Sequence, residues 1–236
     1  MSEEIISEHL DWDSQFFGIE ISKIYVNNYD IDVIKNSVRS SIDSGAKLIY
    51  LIIPAEIDKK MIYSSHLIDD KVVYTKEIGN TGQFDNKISQ YNATNVNEEL
   101  YELAFESGKY SRFKLDKNLP SGSFEKLYSL WIERSVKGEI ADEVFVYREE
   151  DIIQGMVTLK LLQDHGEIGL ISSKSANQGK GIGTKLISHC EKYLSTKGIN
   201  RVEVTTQAAN TAACNFYEKN GYKIIKSLNY YHIWNK

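Results

Sequence analysis

Gln178-Gly179-Lys180-Gly181-Ile182-Gly183-Thr184 stands between an apolar run, Glu167 to Ile171, and a stretch of helical periodicity from Thr184 to Thr196. A strand, a glycine-rich turn and a helix start, in that order, build an anion site. Small residues let the backbone approach a ligand, and the unpaired N–H groups of the helix's first turn point at its negative charge. Three glycines in five positions are costly to order and bury no side chain, so a plain turn is the weaker alternative. Spacing excludes two common phosphate loops. No glycine stands four residues ahead of a Gly-Lys pair followed by Ser or Thr, and the third glycine comes one place early for G-x-G-x-x-G. Glu203, at roughly the distance of a ribose-binding acid, falls mid-strand.

Working outward, the second half of the chain reads as antiparallel strands followed by an α/β segment. Glu143 to Tyr147 alternates, Arg148 to Asp151 turns, and Ile152 to Leu161 returns. Gln163 to Gly166 then turns into Glu167 to Ile171. After the loop, a helix buries Leu186, Ile187, Cys190, Tyr193 and Leu194 until Gly198 stops it. Arg201 to Thr206 is a strand, Asn210 caps a helix running to Lys219, and two strands close the chain, Tyr222 to Lys226 and Tyr230 to Trp234. The exposed last strand offers an edge for a homodimer.

The first half has a β-α-β-α-β order: strand Ile19 to Val26, helix Ile31 to Ser44, strand Lys47 to Ile53, helix Glu56 to His66, strand Lys71 to Ile78. Trp12, Phe16 and Phe17 of the entry DWDSQFFG are expected to bury. Gly79 to Asn97 is polar without apolar period, reads as either a mobile linker or a loop over the active site, and divides the chain into residues 1–97 and 98–236. Helices follow at Glu98 to Ser107 and Ser123 to Val136; the second carries a core stripe of Phe124, Leu127, Tyr128, Trp131 and Ile132.

The chain has 236 residues, 42% of them hydrophobic, enough for a full core, and a net charge of −5. No Lys or Arg block stands out, which argues against nucleic acid as the partner. The two cysteines, Cys190 and Cys214, fall in helices, and no C-x-x-C or histidine cluster offers a metal site, so structural thiols in a reducing compartment are expected. Met1 to Leu10 lacks the apolar core of a signal peptide, and no run approaches ~20 apolar residues. The expectation is a cytoplasmic protein without membrane contact.

The pattern Q-x-x-G-x-G, read as Gln178, Gly181 and Gly183, resembles the pyrophosphate loop of the GNAT superfamily of acyl-CoA N-acyltransferases. VTTQAANTAACNFYEKNGYK resembles the segment in which that family places a cofactor-binding Asn and a catalytic Tyr, here Asn210 and Tyr217. Seven residues are about two helical turns, so both project from one face. The resemblance implies an α/β (mixed α+β) GNAT fold with a central mixed sheet, preceded by a smaller N-terminal α/β half that is degenerate GNAT-like or acceptor-side. It also implies acetyl-CoA as co-substrate, held by Ile171, by the loop Asn177, Gln178, Gly179, Lys180, Gly181, Ile182 and Gly183, and by Asn210. Tyr217 would be the general acid. A helix cap and a core tyrosine are the bland readings of Asn210 and Tyr217. No base is identified; Glu167 is the best-placed carboxylate, with His165 and Asp142 as rivals, each readable as a turn or surface residue, and a water chain is the alternative to any dedicated base.

DWDSQFFGIEISKI, YSRFKLD, IADEVFVY, VTTQAAN and YYHIW together are similar to the dTDP-fucosamine acetyltransferase family. This implies acetylation of an amino group on a nucleotide-linked deoxysugar for surface polysaccharide, with Arg112, Arg134 and Arg148 as candidates to meet the diphosphate. Acetylation of a protein N-terminus or a small amine, and a non-catalytic acyl-CoA binder, are the competing readings.

Overall fold

β3 (Leu48–Pro54) is buried at every position, as its unbroken apolar run requires. It lies between β2 (Ile21–Val26), parallel to it, and β10 (Lys223–Trp234), antiparallel. The structure is a computed structural model and describes residues 5–28, 30–58, 66–79 and 84–235. The remaining strands are β1 (Ile5–His9), β4 (Leu67–Glu77), β5 (Ile88–Gln90), β6 (Glu143–Glu149), β7 (Ile152–Leu161), β8 (Gly166–Ser173) and β9 (Arg201–Gln207). All ten make one sheet in the order β1-β2-β3-β10-β4-β9-β8-β7-β6-β5. Only β2–β3 and β8–β9 are parallel, so the sheet is mixed, as expected.

Helices cover both faces. On one lie α2 (Ile31–Asp43), α6 (Ile182–Thr196) and α7 (Thr211–Lys219), packed on Val72, Tyr74, Val202 and Val204 and on the β2–β3 interior. On the other lie α1 (Asp11–Phe17), α3 (Glu98–Ser107), α4 (Arg112–Leu115) and α5 (Ser123–Val136). The α5 stripe enters the core as its spacing predicts, with Leu127 and Ile132 fully buried. Asp30 starts α2 by accepting N–H bonds from Asp32 and Val33, at 2.9 and 3.1 Å.

The C-terminal segment departs from expectation. Two closing strands are one, β10, continuous through register shifts between Ile224 and Lys226 and between Tyr230 and Tyr231. These irregularities interrupt the alternation that a strand normally shows, so the sequence reads as two pieces. β10 also runs inside the sheet, with β3 on one side and β4 on the other, so it offers no free edge for a homodimer. The sheet's edges are β1 and β5.

Smaller differences have local causes. DWDSQFF is helix α1, ended by Gly18 in the left-handed region (φ 69°). A helix buries one stripe only: Phe17 is inside, whereas Trp12 is 43% exposed and stacks on Phe16 at 5.0 Å. Gly79 to Asn97 contains β5, whose buried Ile88 pairs with Tyr147; three residues are too short to show a period. The helix expected from Glu56 to His66 falls mostly outside the described residues, and 55–57 form a turn. Among the described residues no helix is long and apolar enough to cross a membrane.

Candidate active site

β8 and β9 run side by side only from Gly166 to Ile168, opposite Val202 to Val204. Past that point they diverge. β9 stays paired to β4 as far as Gln207, and β8 to β7 as far as Ser173. The cause is a bulge: Gly169 and Leu170 together oppose the single Thr158 of β7. Thr158 Oγ1 fixes it by accepting the Leu170 N–H at 2.8 Å, and a Cβ on residue 169 would lie 2.8 Å from that oxygen, so glycine is required. The edge of β8 from Gly169 onward therefore faces a gap in the sheet instead of a neighbouring strand.

That gap opens into a cavity of about 200 Å³. Gly169, Leu170 and Ile171 of β8, Thr205 to Gln207 of β9, and Asn210, Ala213 and Tyr217 of α7 form one wall. β4, α4 and α5 form the other, with Asp69, Lys71, Arg112, Phe113, Tyr128 and Trp131. The cavity thus joins the two faces of the sheet through the strand gap.

The residues of α7 are positioned by its cap. Asn210 Oδ1 accepts the Ala213 N–H at 3.2 Å, and two turns later Tyr217 projects to the same cavity. Tyr217 is 3% exposed and packs against Tyr74, Phe216 and Tyr222, with ring centroids 5.5, 5.1 and 5.6 Å away. Burial pushes its phenol pKa well above the ordinary value, so it stays protonated across the physiological range.

The glycine loop lies beyond the end of β8 and outside this cavity. A short 3-10 turn, Ser175–Asn177, leads into Gly179 (φ 80°) and Gly181 (φ 81°), both in a conformation that favours glycine. α6 begins at Ile182, two residues before the sequence placed it, and no side chain caps its first turn. The loop is braced from below: Asn177 Nδ2 donates to Gln154 Oε1 (2.6 Å), Gln178 Nε2 to Glu106 Oε1 (2.9 Å) and Lys180 Nζ to Asn177 Oδ1 (2.6 Å). The amides of Gln178 and Lys180 bond back to the carbonyls of Ser175 and Asn177, each at 3.3 Å. Gly183 packs on α7: a Cβ there would lie 3.2 Å from the Phe216 ring, next door to Tyr217.

Other residues singled out from the sequence lie apart. Glu167 sits where β8 and β9 are still paired, opposite Glu203. His165 bonds Asp164 at 2.7 Å, and Asp142 Oδ2 accepts the Leu161 N–H at 2.7 Å, so both hold turns. Arg134 pairs with Glu139 and Arg148 bonds Ser89, both at 2.9 Å; of the three arginines only Arg112 lines the cavity. Cys190 and Cys214 are free thiols in α6 and α7, and burial raises the pKa of Cys190.

Two cavity residues escaped the sequence reading, Asp69 and Lys71. They alternate along β4 and so share a face, but Asp69 preceded the run read as a strand, and its two neighbours, Ile68 and Asp70, gave no sign of which side would bury. Burial lifts the Asp69 carboxyl to about 6, against the pull of Lys71 and Arg112. Burial also lowers Lys71 to about 8, helped by Arg112 and opposed by Asp69. The Arg112 guanidinium lies against the rings of Phe113, Tyr50 and Tyr230, 4.3, 4.7 and 4.9 Å from their centroids.

Comparison with known proteins agrees with this architecture. Residues 98–222 match the model of the "Acetyltransferase (GNAT) family". The spore coat polysaccharide biosynthesis protein SpsD of Bacillus subtilis (strain 168) is 26% identical over 137 residues, 58% of this chain and 47% of that one, so the match spans about half of its length. Among solved structures, a GCN5-related N-acetyltransferase from Sphaerobacter thermophilus superposes with a TM-score of 0.62 at 14% identity, covering 98% of this chain and 76% of that one. A conserved protein from Staphylococcus epidermidis ATCC 12228 gives 0.61 at 14% identity, with 91% and 85% covered. At such identities these two likenesses speak for the fold alone. The family match takes in more than half of the sequence, including the strand gap, the glycine loop and α7: the chain belongs to the acetyltransferase (GNAT) family.

Proposed function

We propose that the chain acetylates the amino group of a nucleotide-linked amino-deoxysugar of the dTDP-4-amino sugar type, for surface polysaccharide synthesis in the cytoplasm. The observation that carries this reading is the pair of cations on the acceptor side of the cavity. Among the described residues, neither Lys71 nor Arg112 has a carboxylate within 4 Å, although the chain as a whole is acidic. A diphosphate would satisfy both, and Arg112 can offer it two parallel donors. An acceptor peptide or polyamine would instead call for a carboxylate-lined groove. The polysaccharide link of SpsD adds support.

In this reading residues 1–97 serve as the acceptor side, since β4 contributes Lys71, and residues 98–236 form the acetyltransferase domain. The unpaired edge of β8 pairs with the pantetheine amides as a further strand would. The uncapped start of α6 and the loop Asn177 to Gly183 meet the pyrophosphate. An N–H at Ile171 polarises the thioester carbonyl, and Asn210 contacts the cofactor with the amide edge that its capping bond leaves over. The amine nitrogen attacks the carbonyl carbon directly in a ternary complex. As the C–S bond breaks, Tyr217 protonates the departing sulfur; a phenol of raised pKa is in the right form to do so.

The test mixes protein and acetyl-CoA with nucleotide 4-amino sugars, peptides and polyamines, and follows free thiol. Release with a sugar alone is the expected result. Release with peptides or polyamines alone would overturn the acceptor assignment. Binding of coenzyme A without release to any amine would identify a non-catalytic binder.

A further inference from the structure

Among the described residues Asp69 is the one carboxylate in the wall of the cavity, and it is 5% exposed. Neither of its oxygens has a hydrogen-bond partner among the described residues. The Arg112 backbone N–H is near enough to lower the pKa, yet it makes no hydrogen bond to either oxygen. A buried carboxylate left open in this way is destabilising, and such groups concentrate where a ligand completes them. Its place in the fold is fixed. Asp69 lies opposite Tyr230 of β10, and the next residue's carbonyl accepts the Ala208 N–H at 2.7 Å, which ties this part of β4 to the turn before Asn210.

Resting on the acetyl-transfer reading above, we propose that Asp69 is the catalytic base, taking the proton from the acceptor's ammonium group inside the cavity before the nitrogen attacks. Lys71 and Arg112 then hold the acceptor's anionic portion, so the acceptor must carry an ammonium and a phosphate-like anion within one small cavity's reach. The steps balance. Asp69 takes one proton from the ammonium, and the freed lone pair forms the C–N bond. The C–S bond breaks with its electron pair on sulfur, which takes the Tyr217 proton. The excess proton on nitrogen passes to the Tyr217 oxygen, and Asp69 releases its own to solvent. One amide, one thiol and one proton result.

The titratable and charged groups around Asp69 are Lys71 on its own face of β4, Asp70 beside it on the opposite face, Arg112 on α4, Tyr128 on α5 and Tyr230 on β10. Their balance leaves the carboxyl titrating near 6, so it is ionised and able to accept a proton at neutral pH. A bland alternative makes Asp69 only a counter-ion for Lys71 and Arg112, and the two roles differ in what they do to kcat.

The experiment compares wild type, Asp69→Asn and Asp69→Glu in the thiol-release assay with the acetylated amine, at saturating acetyl-CoA, from pH 5 to 8. Coenzyme A affinity is measured by calorimetry in parallel. For a base, Asp69→Asn lowers kcat by about 100-fold or more, abolishes the acidic limb of the kcat profile, and leaves coenzyme A affinity within a factor of about two; Asp69→Glu restores part of both. Asn keeping more than about a third of kcat, or an acidic limb unchanged in Asn, overturns the proposal. Should a peptide or polyamine be the amine that reacts, the sugar assignment falls while the same comparison still decides Asp69. Should no amine react, both fall.

Discussion

Replacing Asp69 by Asn should make the protein more stable while disabling it, and the gain should grow with pH. Asparagine stands in for the protonated carboxyl at nearly the same shape. The folded state holds Asp69 at about 6, whereas the unfolded chain has the ordinary 3.8. An acid whose pKa is raised on folding favours the fold while it is protonated; that advantage fades as pH rises from about 4 to about 6. Above that window the folded protein carries an ionised carboxylate that it solvates poorly. Integrating the proton linkage between the two pKa values, the cost is about 1.6 kcal/mol at pH 5 and about 3 kcal/mol at pH 7. The difference, about 1.3 kcal/mol, is the firmer quantity, because contacts that Asn changes at all pH values cancel from it. Urea unfolding of both proteins at pH 5, 6 and 7 measures it, or thermal unfolding, where about 1 kcal/mol moves Tm by about 2–4 °C in a chain of this size. A stability difference that is flat between pH 5 and 7, or that shrinks as pH rises, would refute the reasoning. Asp69 would then be paired or hydrated in solution.

Three further outcomes follow from particular contacts. Tyr217→Phe should lower kcat by about 100-fold or more through loss of the proton donor, with coenzyme A affinity by calorimetry nearly unchanged; equal loss of both would mean a packing role. Thr158→Val removes the oxygen that accepts the Leu170 N–H, at a cost of about 1–3 kcal/mol in urea unfolding. It should also weaken coenzyme A, since the bulge that opens the sheet depends on that bond. Asp116→Ala should cost about 2–3 kcal/mol: the Asp116 carboxylate, held down to about 2, takes hydrogen bonds from His232 (2.6 Å) and Trp234 (2.9 Å) in a site closed to water. A change below 1 kcal/mol would show that this buried contact is solvated after all.

How much of this could be read from residues alone varies with the range of the interactions involved. The glycine loop, the Asn210 cap and the extent of α3, α5 and α7 are local, fixed by caps, periodicity and glycines within a few residues, and the sequence carries them nearly to the residue. The position of β10 is not local. Strand order depends on which edges meet across more than a hundred residues, and a strand with two register shifts hides its own period. The cavity divides in the same way. Tyr217 and Asn210 are seven residues apart on one helix and could be found together. Asp69, Lys71 and Arg112 come from β4 and α4, and only the fold brings them to α7.

β10 also governs the order in which the molecule can assemble. Seven of its residues pair with β3 and eight with β4, segments made some 150 or more positions earlier in the chain. Until Lys223 to Trp234 is available, β3 and β4 each present an open edge, apolar in β3 throughout, that no other strand among the described residues covers. A nascent chain must therefore shelter those edges from the time β3 and β4 emerge until β10 follows, and closure of such long loops is slow. Removing this one strand would split the sheet between its third and fifth positions and leave two open edges prone to pair with strangers.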